Sequence, residues 1–415
     1  MTRQATRPGP AGVDPLPESP WSGRAIHDVF DAAAEQYADL TAIEDEGRSM
    51  PYAELRRRVD RIAGALACHL SAAHQHIALL VEPGAASSAA MLAVLQAGHA
   101  YVPLDPSDPV QRLEFILQDS SAALVLAGPE LVDLAERLAA GRCPVVRLDD
   151  ALDRTPLPGS APAPDPDRVA LLIYTSGSTG QPKGVLQTHR NLLHYVWQYA
   201  GFLRVTPADR LSMLYTLTFS ASSMDVYGAL LNGATLCFLN VRQRGAARLA
   251  SWIDQQRITV LHTVPTLFRK LVEPGGAPAS FASVRAIDLG GEPVVARDVA
   301  LGRARFRPGC MLVNHLAATE ISVIAQQALG EGGDGVGAMP AGRPAPGVIV
   351  RILNEAGALA APGEDGEITI HSPFLSPGYW RQPALTSSAF ADDPDRPGWR
   401  IFRSDSSTWN SAGQL

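Results

Sequence analysis

Residues 169–184 read Val-Ala-Leu-Leu-Ile-Tyr-Thr-Ser-Gly-Ser-Thr-Gly-Gln-Pro-Lys-Gly, and their reading decides the fold. The apolar run Val169–Tyr174 predicts a buried strand. The eleven residues from Tyr174 to Gly184 hold three glycines, four Ser/Thr hydroxyls and one lysine. Beyond them, Thr188 is placed to cap a helix whose Leu192, Leu193, Val196, Tyr199, Ala200 and Leu203 share one face. A strand, a glycine-rich hydroxyl loop and a helix make a polyphosphate cradle: glycines let N–H groups converge, hydroxyls add donors and the lysine adds charge. A flexible linker has similar composition but does not directly follow an apolar strand or carry Pro182-Lys183. The stretch is not a Walker A loop, which needs Gly-Lys followed by Ser or Thr. Here Pro182 precedes Lys183 and Gly184 follows it, so no helix is expected to start at the lysine.

Working outward, β–α alternation fills most of the chain. Helices are expected over 25–37, 52–70, 85–97 and 110–117, and strands over 76–81, 122–127 and 144–148. After the loop, strands over 210–214, 235–239, 259–262, 284–289 and 311–314 alternate with helices over 224–231, 249–256 and 267–271. From residue 342 the texture changes to short strands, over 348–353, 366–371 and 399–403, with Gly and Pro punctuation. The expected fold class is α/β: two stacked, mainly parallel sheets with flanking helices, plus a small antiparallel β-barrel-like subdomain. The expected partition is a disordered leader (1–20), a first α/β subdomain (21–155), a linker (156–167), a second α/β subdomain with the loop (168–341) and a β subdomain (342–415).

The totals exclude several function classes. At 415 residues with 46% hydrophobic and 19% charged residues, the chain has the composition of a globular protein of two or three subdomains. A net charge of −7 without a dense basic cluster argues against nucleic acid as a partner. Cys68, Cys143, Cys237 and Cys310 are scattered and suit reduced thiols. No apolar run reaches membrane-spanning length, and residues 1–20 lack a signal-peptide core. A cytoplasmic protein without a membrane partner is expected.

Open α/β sheets bind ligands beyond the carboxyl ends of their strands. Five polar clusters fall at such positions: the loop, Phe219-Ser220-Ala221-Ser222, Asp288-Leu-Gly-Gly-Glu292, Asn314-His-Leu-Ala-Ala-Thr-Glu320 and Arg403-Ser404-Asp405. Each alone is more often a turn or a cap than a site; their order along one sheet system is what carries weight.

That order, with Leu95-Gln-Ala-Gly-His-Ala-Tyr-Val-Pro-Leu-Asp105, Gly228-Ala-Leu-Leu-Asn-Gly-Ala-Thr235 and Gly366-Glu-Ile and Gly378-Tyr-Trp, resembles the adenylate-forming superfamily over nearly the whole chain after residue 25. The branch it most resembles is the adenylation domains of nonribosomal peptide synthetases. The resemblance implies ATP and Mg²⁺ as cofactors. Thr175, Ser176, Gly177, Ser178, Thr179, Gly180 and Lys183 would hold the phosphates, Thr319 would contact phosphate, and Glu320 would help coordinate Mg²⁺. Lys183, Thr319 and Glu320 would be the catalytic set. Gly290, Gly291 and Glu292 would border the adenine, and Asp405 would bond the ribose hydroxyls. The substrate pocket would comprise Phe219, Ser220, Ala221, Met224, His262, Asp288, Gly290, His315, Val323 and Ile324. The implied reaction is attack of a carboxylic acid on the ATP α-phosphate to give acyl-AMP, with transfer to a carrier-protein phosphopantetheine thiol in natural-product biosynthesis.

Three departures shape the expectation. Where α-amino-acid domains of that branch have an aspartate pairing the substrate ammonium, this chain has Ser220. A hydroxyl cannot supply the counter-charge of a buried ammonium, so a hydroxy, keto, aryl or β-amino acid is expected, with Asp288 receiving a donor or ammonium placed away from the α-carbon. The superfamily's Tyr-Gly-Pro-Thr-Glu stands here as Leu316-Ala-Ala-Thr-Glu320, without the aromatic ring, and its Arg-Thr-Gly-Asp as Arg403-Ser404-Asp405, one residue short. The sequence ends at Leu415, where that superfamily continues into a small domain carrying a further lysine, so a weakly active N-terminal core is expected. An acyl- or aryl-CoA ligase and a degenerate nucleotide-binding domain remain alternatives.

Overall fold

The computed structural model describes residues 19–70, 74–153, 163, 165–176, 181–272, 281–330, 337–361, 364 and 366–404. Three sheets carry the chain. The first has six strands in the order Val145–Arg147, Leu124–Ala127, His76–Leu80, Ala100–Leu104, Val169–Ser176 and Pro182–Thr188. Its pairs are parallel except the last, an antiparallel hairpin. The second has nine strands, and its centre is the parallel run Met311–Ala318, Ala286–Leu289, Val260–Thr263, Arg210–Met213, Thr235–Phe238 and Thr41–Asp45. Ser322–Ala328 and Arg343–Pro344 extend one edge and Arg48–Pro51 the other, all antiparallel. The third is a four-stranded antiparallel sheet, Ile349–Leu353, Glu367–Ser372, Arg400–Ser404 and Phe390–Asp392. The fold is the expected mixed α/β architecture with an antiparallel appendage.

Two helices lie within the core that joins the large sheets. In Ala85–Gln96 every residue from Ser87 to Leu95 is buried, and in Ala221–Leu230 every residue from Ser222 to Leu230 is. Helices buried on all sides need small residues, and these are rich in Ala, Ser and Gly. Buried phenols tie the layers. Tyr227 donates to the Tyr101 hydroxyl at 3.1 Å, and Tyr52 donates to the Ala234 carbonyl at 2.7 Å. One apolar cluster runs through both sheets, from Ile77 and Ile173 to Leu211, Leu236 and Val260.

Three departures from the sequence expectation bear on the site. First, Pro182–Thr188, expected to be part of the loop, is a strand paired antiparallel with Val169–Ser176. Proline is tolerated there because the strand is at the sheet edge and Pro182 is its first residue. The helix follows at His189–Leu203, capped by Thr188, whose Oγ1 accepts from Asn191 N–H at 3.3 Å. Second, the strand beginning at Met311 continues to Ala318 and folds back as Ser322–Ala328, so Thr319 and Glu320 occupy a hairpin turn. Third, the sheets do not divide at 156–167. The 169–188 hairpin completes the sheet built by residues 76–147, while Thr41–Asp45 pairs with Thr235–Phe238 in the other sheet. Residues 1–18 and most of 156–167 lie outside the described residues.

Candidate active site

The hairpin register places Thr175 opposite Lys183 at the base of the glycine-rich stretch. Lys183 Nζ lies 3.0 Å from Glu320 Oε1 and 3.0 Å from the Tyr379 hydroxyl. Tyr379 in turn donates to Glu320 Oε1 at 2.8 Å, and its ring centroid is 4.3 Å from Nζ. The turn is held from both sides: Gln187 Nε2 donates to the Thr319 carbonyl, and Ser376 N–H donates to the Glu320 carbonyl at 2.9 Å. Main-chain bonds from Trp380 N–H to Gly184 O and from Leu186 N–H to Gly378 O bring in the segment bearing Tyr379. Gly184 is needed at this crossing, because a Cβ would meet Leu172 at 2.8 Å and Tyr174 at 3.1 Å. Thr175 Oγ1 is buried and has no hydrogen-bond partner among the described residues.

Beside this cluster lies a cavity of about 240 Å³ at the carboxyl end of the parallel strands. Phe219, Ser220, Ala221, Met224, His262, Asp288, Gly290, His315 and Val323, all expected in the substrate pocket, line it, as do Gly291 and Thr319. Adjacent parallel strands put His262 beside Asp288 in register. His315 Nδ1 is 2.8 Å from Asp288 Oδ1, and His262 Nδ1 is 2.8 Å from Asp225 Oδ1. Burial alone would lower the His262 value, but Asp225 and Asp288 outweigh it and lift the imidazole to about 9. Complete burial raises the Asp225 carboxyl even against the pull of that imidazole. Burial also opposes ionisation of Asp288, yet His315 and His262 together hold it below the usual carboxylate range.

Ile324, expected in the substrate pocket, and Glu292, expected beside the adenine, do not line the cavity. Ile324 is the unpaired residue of a register shift between the Leu316–Ala325 and Ala317–Val323 pairs, and its side chain joins the apolar core. The bulge reverses side-chain parity, so Val323 and Gln326 both face the cavity. Glu292 does not line it either: its carboxylate accepts from Thr266 N–H at 2.9 Å and Thr266 Oγ1 at 2.6 Å, capping the helix Pro265–Val272. Gly177, Ser178, Thr179, Gly180 and Asp405 lie outside the described residues, and Ser176 ends its strand exposed.

Sequence reading overlooked several residues here. Tyr199, Tyr215 and Gln326 line the cavity, and Asp225 supports His262 from one turn beyond Ser220. Tyr379 lies in the Gly378-Tyr-Trp380 motif, but only tertiary contact brings it to Lys183. Gly290 had a readable signal with an unforeseen cause: a Cβ there would sit 2.1 Å from His315 Nε2. Gly290→Ala is therefore expected to displace His315 and cost about 2 kcal/mol of stability, as overpacking does. Urea denaturation, with His315 imidazole NMR shifts, would measure both effects.

Comparison with known proteins gives the family. Residues 30–380 match the family described as AMP-binding enzyme, and the chain belongs to that family. It is 33% identical over 408 residues to surfactin synthase subunit 2 of Bacillus subtilis, covering 96% of this chain and 11% of that protein. It is 32% identical to tyrocidine synthase 2 of Brevibacillus parabrevis, covering 94% and 11%. The chain thus spans about a tenth of the length of these curated relatives. Among solved structures, the nonribosomal peptide synthetase FmoA3 in an α-methyl-L-serine-AMP bound form is similar at TM-score 0.85 and 29% identity, over 93% of this chain and 43% of that one. An AMPPNP-bound form of FmoA3 is similar at TM-score 0.83 and 28% identity, over 94% and 42%.

Proposed function

We propose that this chain is an adenylating core that uses ATP to activate a carboxylic acid as acyl-AMP for transfer to a carrier-protein thiol. The observation that carries the reading is the meeting of Thr175, Lys183, Thr319 and Glu320 at one end of the 240 Å³ cavity. Attack of a carboxylate on a phosphate brings two anions together, and the Lys183 ammonium offsets that repulsion. Thr175 Oγ1, buried and unpartnered among the described residues, is a donor suited to a phosphate oxygen. Both hydrogen bonds to Glu320 fall on Oε1; its other oxygen would hold Mg²⁺, a hard cation that prefers oxygen ligands. When bound, the ion would neutralise phosphate charge.

The acid is one without a free α-ammonium: a hydroxy, keto, aryl or β-amino acid. Ser220 lines the cavity with a neutral hydroxyl where a counter-ion would be required. Ser220→Asp is expected to weaken activation of the native acid by about tenfold, by placing an unpaired carboxylate beside it; unchanged kinetics would remove Ser220 from the pocket. Acid-dependent ATP–pyrophosphate exchange across a panel of acids tests the reading as a whole. Exchange with one acid, followed by loading of a carrier protein in preference to CoA, is the expected result. ATP binding with no exchange for any acid would point to a nucleotide-binding scaffold, and a preference for CoA to an acyl-CoA ligase.

A further inference from the structure

Asp225, His262, Asp288 and His315 form one buried set: two carboxylates and two imidazoles. Two links in it are made, His262 Nδ1 to Asp225 Oδ1 and His315 Nδ1 to Asp288 Oδ1, both 2.8 Å. The third is open. His262 Nε2 stands 3.8 Å from Asp288 Oδ2, beyond hydrogen-bond reach, and is buried with no hydrogen-bond partner among the described residues, in a side chain only 2% exposed. His262 and Asp288 both line the cavity. A buried polar nitrogen beside an unfilled carboxylate oxygen is costly unless a hydroxyl-bearing group, a water or a ligand, bridges them.

The chemistry of the bridge follows from charge and donor count. An ammonium has donors only: it cannot accept from an Nε2–H, and it would stand against the His262 imidazolium. A carboxylate ligand has no proton to give Asp288. A hydroxyl is neutral, accepts from an Nε2–H and donates to Oδ2.

We propose that the acid taken by this cavity carries an uncharged hydroxyl remote from its carboxylate, which bridges His262 Nε2 and Asp288 Oδ2, and that Asp225 is the positioning residue that turns His262 toward it. The proposal rests on the reading of the cavity as the acid site. It replaces a remote ammonium on Asp288, the sequence expectation, with a neutral group. The titratable groups facing His262 are Asp225 from the helix Ala221–Leu230, Tyr199 from the helix His189–Leu203, Tyr215 beyond Arg210–Met213, and Asp288 and His315 from neighbouring strands. With two carboxylates flanking it, His262 keeps its second proton at pH 7, which makes Nε2 a donor.

Two measurements test this on the whole chain. The first is calorimetric titration, in the presence of AMPPNP, with matched acids: 4-hydroxybutanoate, 4-aminobutanoate and butanoate, then 3-hydroxybenzoate, 3-(aminomethyl)benzoate and benzoate. The hydroxylated member of at least one set should bind about tenfold tighter than both companions. Tighter binding of the amine, or no preference in either set, overturns the proposal. Failure to bind AMPPNP at all would instead count against the adenylation reading. The second is ¹⁵N NMR of labelled histidine, which needs no acid. His262 should carry protons on both ring nitrogens at pH 7, and Asp225→Asn should return its titration toward 6.5. The same variant should lose about tenfold for the preferred hydroxy acid and under about threefold for its deoxy companion. A neutral His262 in the parent chain, or an equal loss for both acids, overturns the proposal.

Discussion

Lys183→Ala will slow acyl-AMP formation by about 10²- to 10³-fold, the range for removing one preorganised donor from a charge-developing site. Lys183 is the cation bonded to Glu320 and Tyr379 at the base of the glycine-rich stretch. Its position is fixed by strand pairing with Thr175 rather than by a flexible loop, so no neighbouring side chain readily replaces it. The variant also strips Glu320, 7% exposed, of its counter-ion, which leaves a carboxylate facing the phosphates and adds repulsion. Single-turnover formation of acyl-AMP, followed by mass spectrometry, measures the rate. A thermal melt within a few degrees of the parent would show that the loss is not unfolding. Tyr379→Phe should cost less, because the lysine–carboxylate pair survives. A Lys183→Ala enzyme within about threefold of the parent would remove Lys183 from the reaction.

Stability should fall by about 3 kcal/mol between pH 6.5 and 9, as His262 loses its proton in the folded state. The folded value, about 9, lies above the unfolded 6.5. The stability it contributes is therefore complete below pH 6.5 and is lost as the pH rises through 9. Buried neutral histidines act with the opposite sign. Burial lowers His99 and His194 to about 4 and His189 to about 3, so they cost stability as the pH falls below 6.5. The two trends predict a stability maximum near pH 6.5. Urea unfolding at half-unit steps from pH 5 to 9 would trace it, and His262→Gln should flatten the alkaline limb while leaving the acid limb. A parent curve flat from 6.5 to 9 would show that His262 is not charged in the fold.

Much of the architecture was legible in sequence because local signals agreed with the tertiary outcome. Strand–helix alternation, the Thr188 cap and the glycine-punctuated β region after residue 342 all express propensities that the fold keeps. The misread elements are those whose signal is not local. Pro182–Thr188 looked like a loop tail because it opens with Pro-Lys-Gly, and pairing with Val169–Ser176 makes it a strand. Ser322–Ala328 is half polar and exists by pairing with Met311–Ala318.

The site divides in the same way. Sequence by itself determined which residue types are present: a lysine among glycines and hydroxyls, a serine where a carboxylate would mark an α-amino acid, and His262, Asp288 and His315 in the order that adjacent parallel strands require. Only the tertiary structure decided their states. It turned Ile324 into the core through a bulge, used Glu292 as a cap, brought Tyr379 to Lys183 and set Asp225 behind His262. The physical reason is that charge, protonation and side-chain direction depend on burial and on contacts between residues distant in sequence. Thirty-seven positions separate Asp225 from His262, and nothing local at either one foretells that they share a proton.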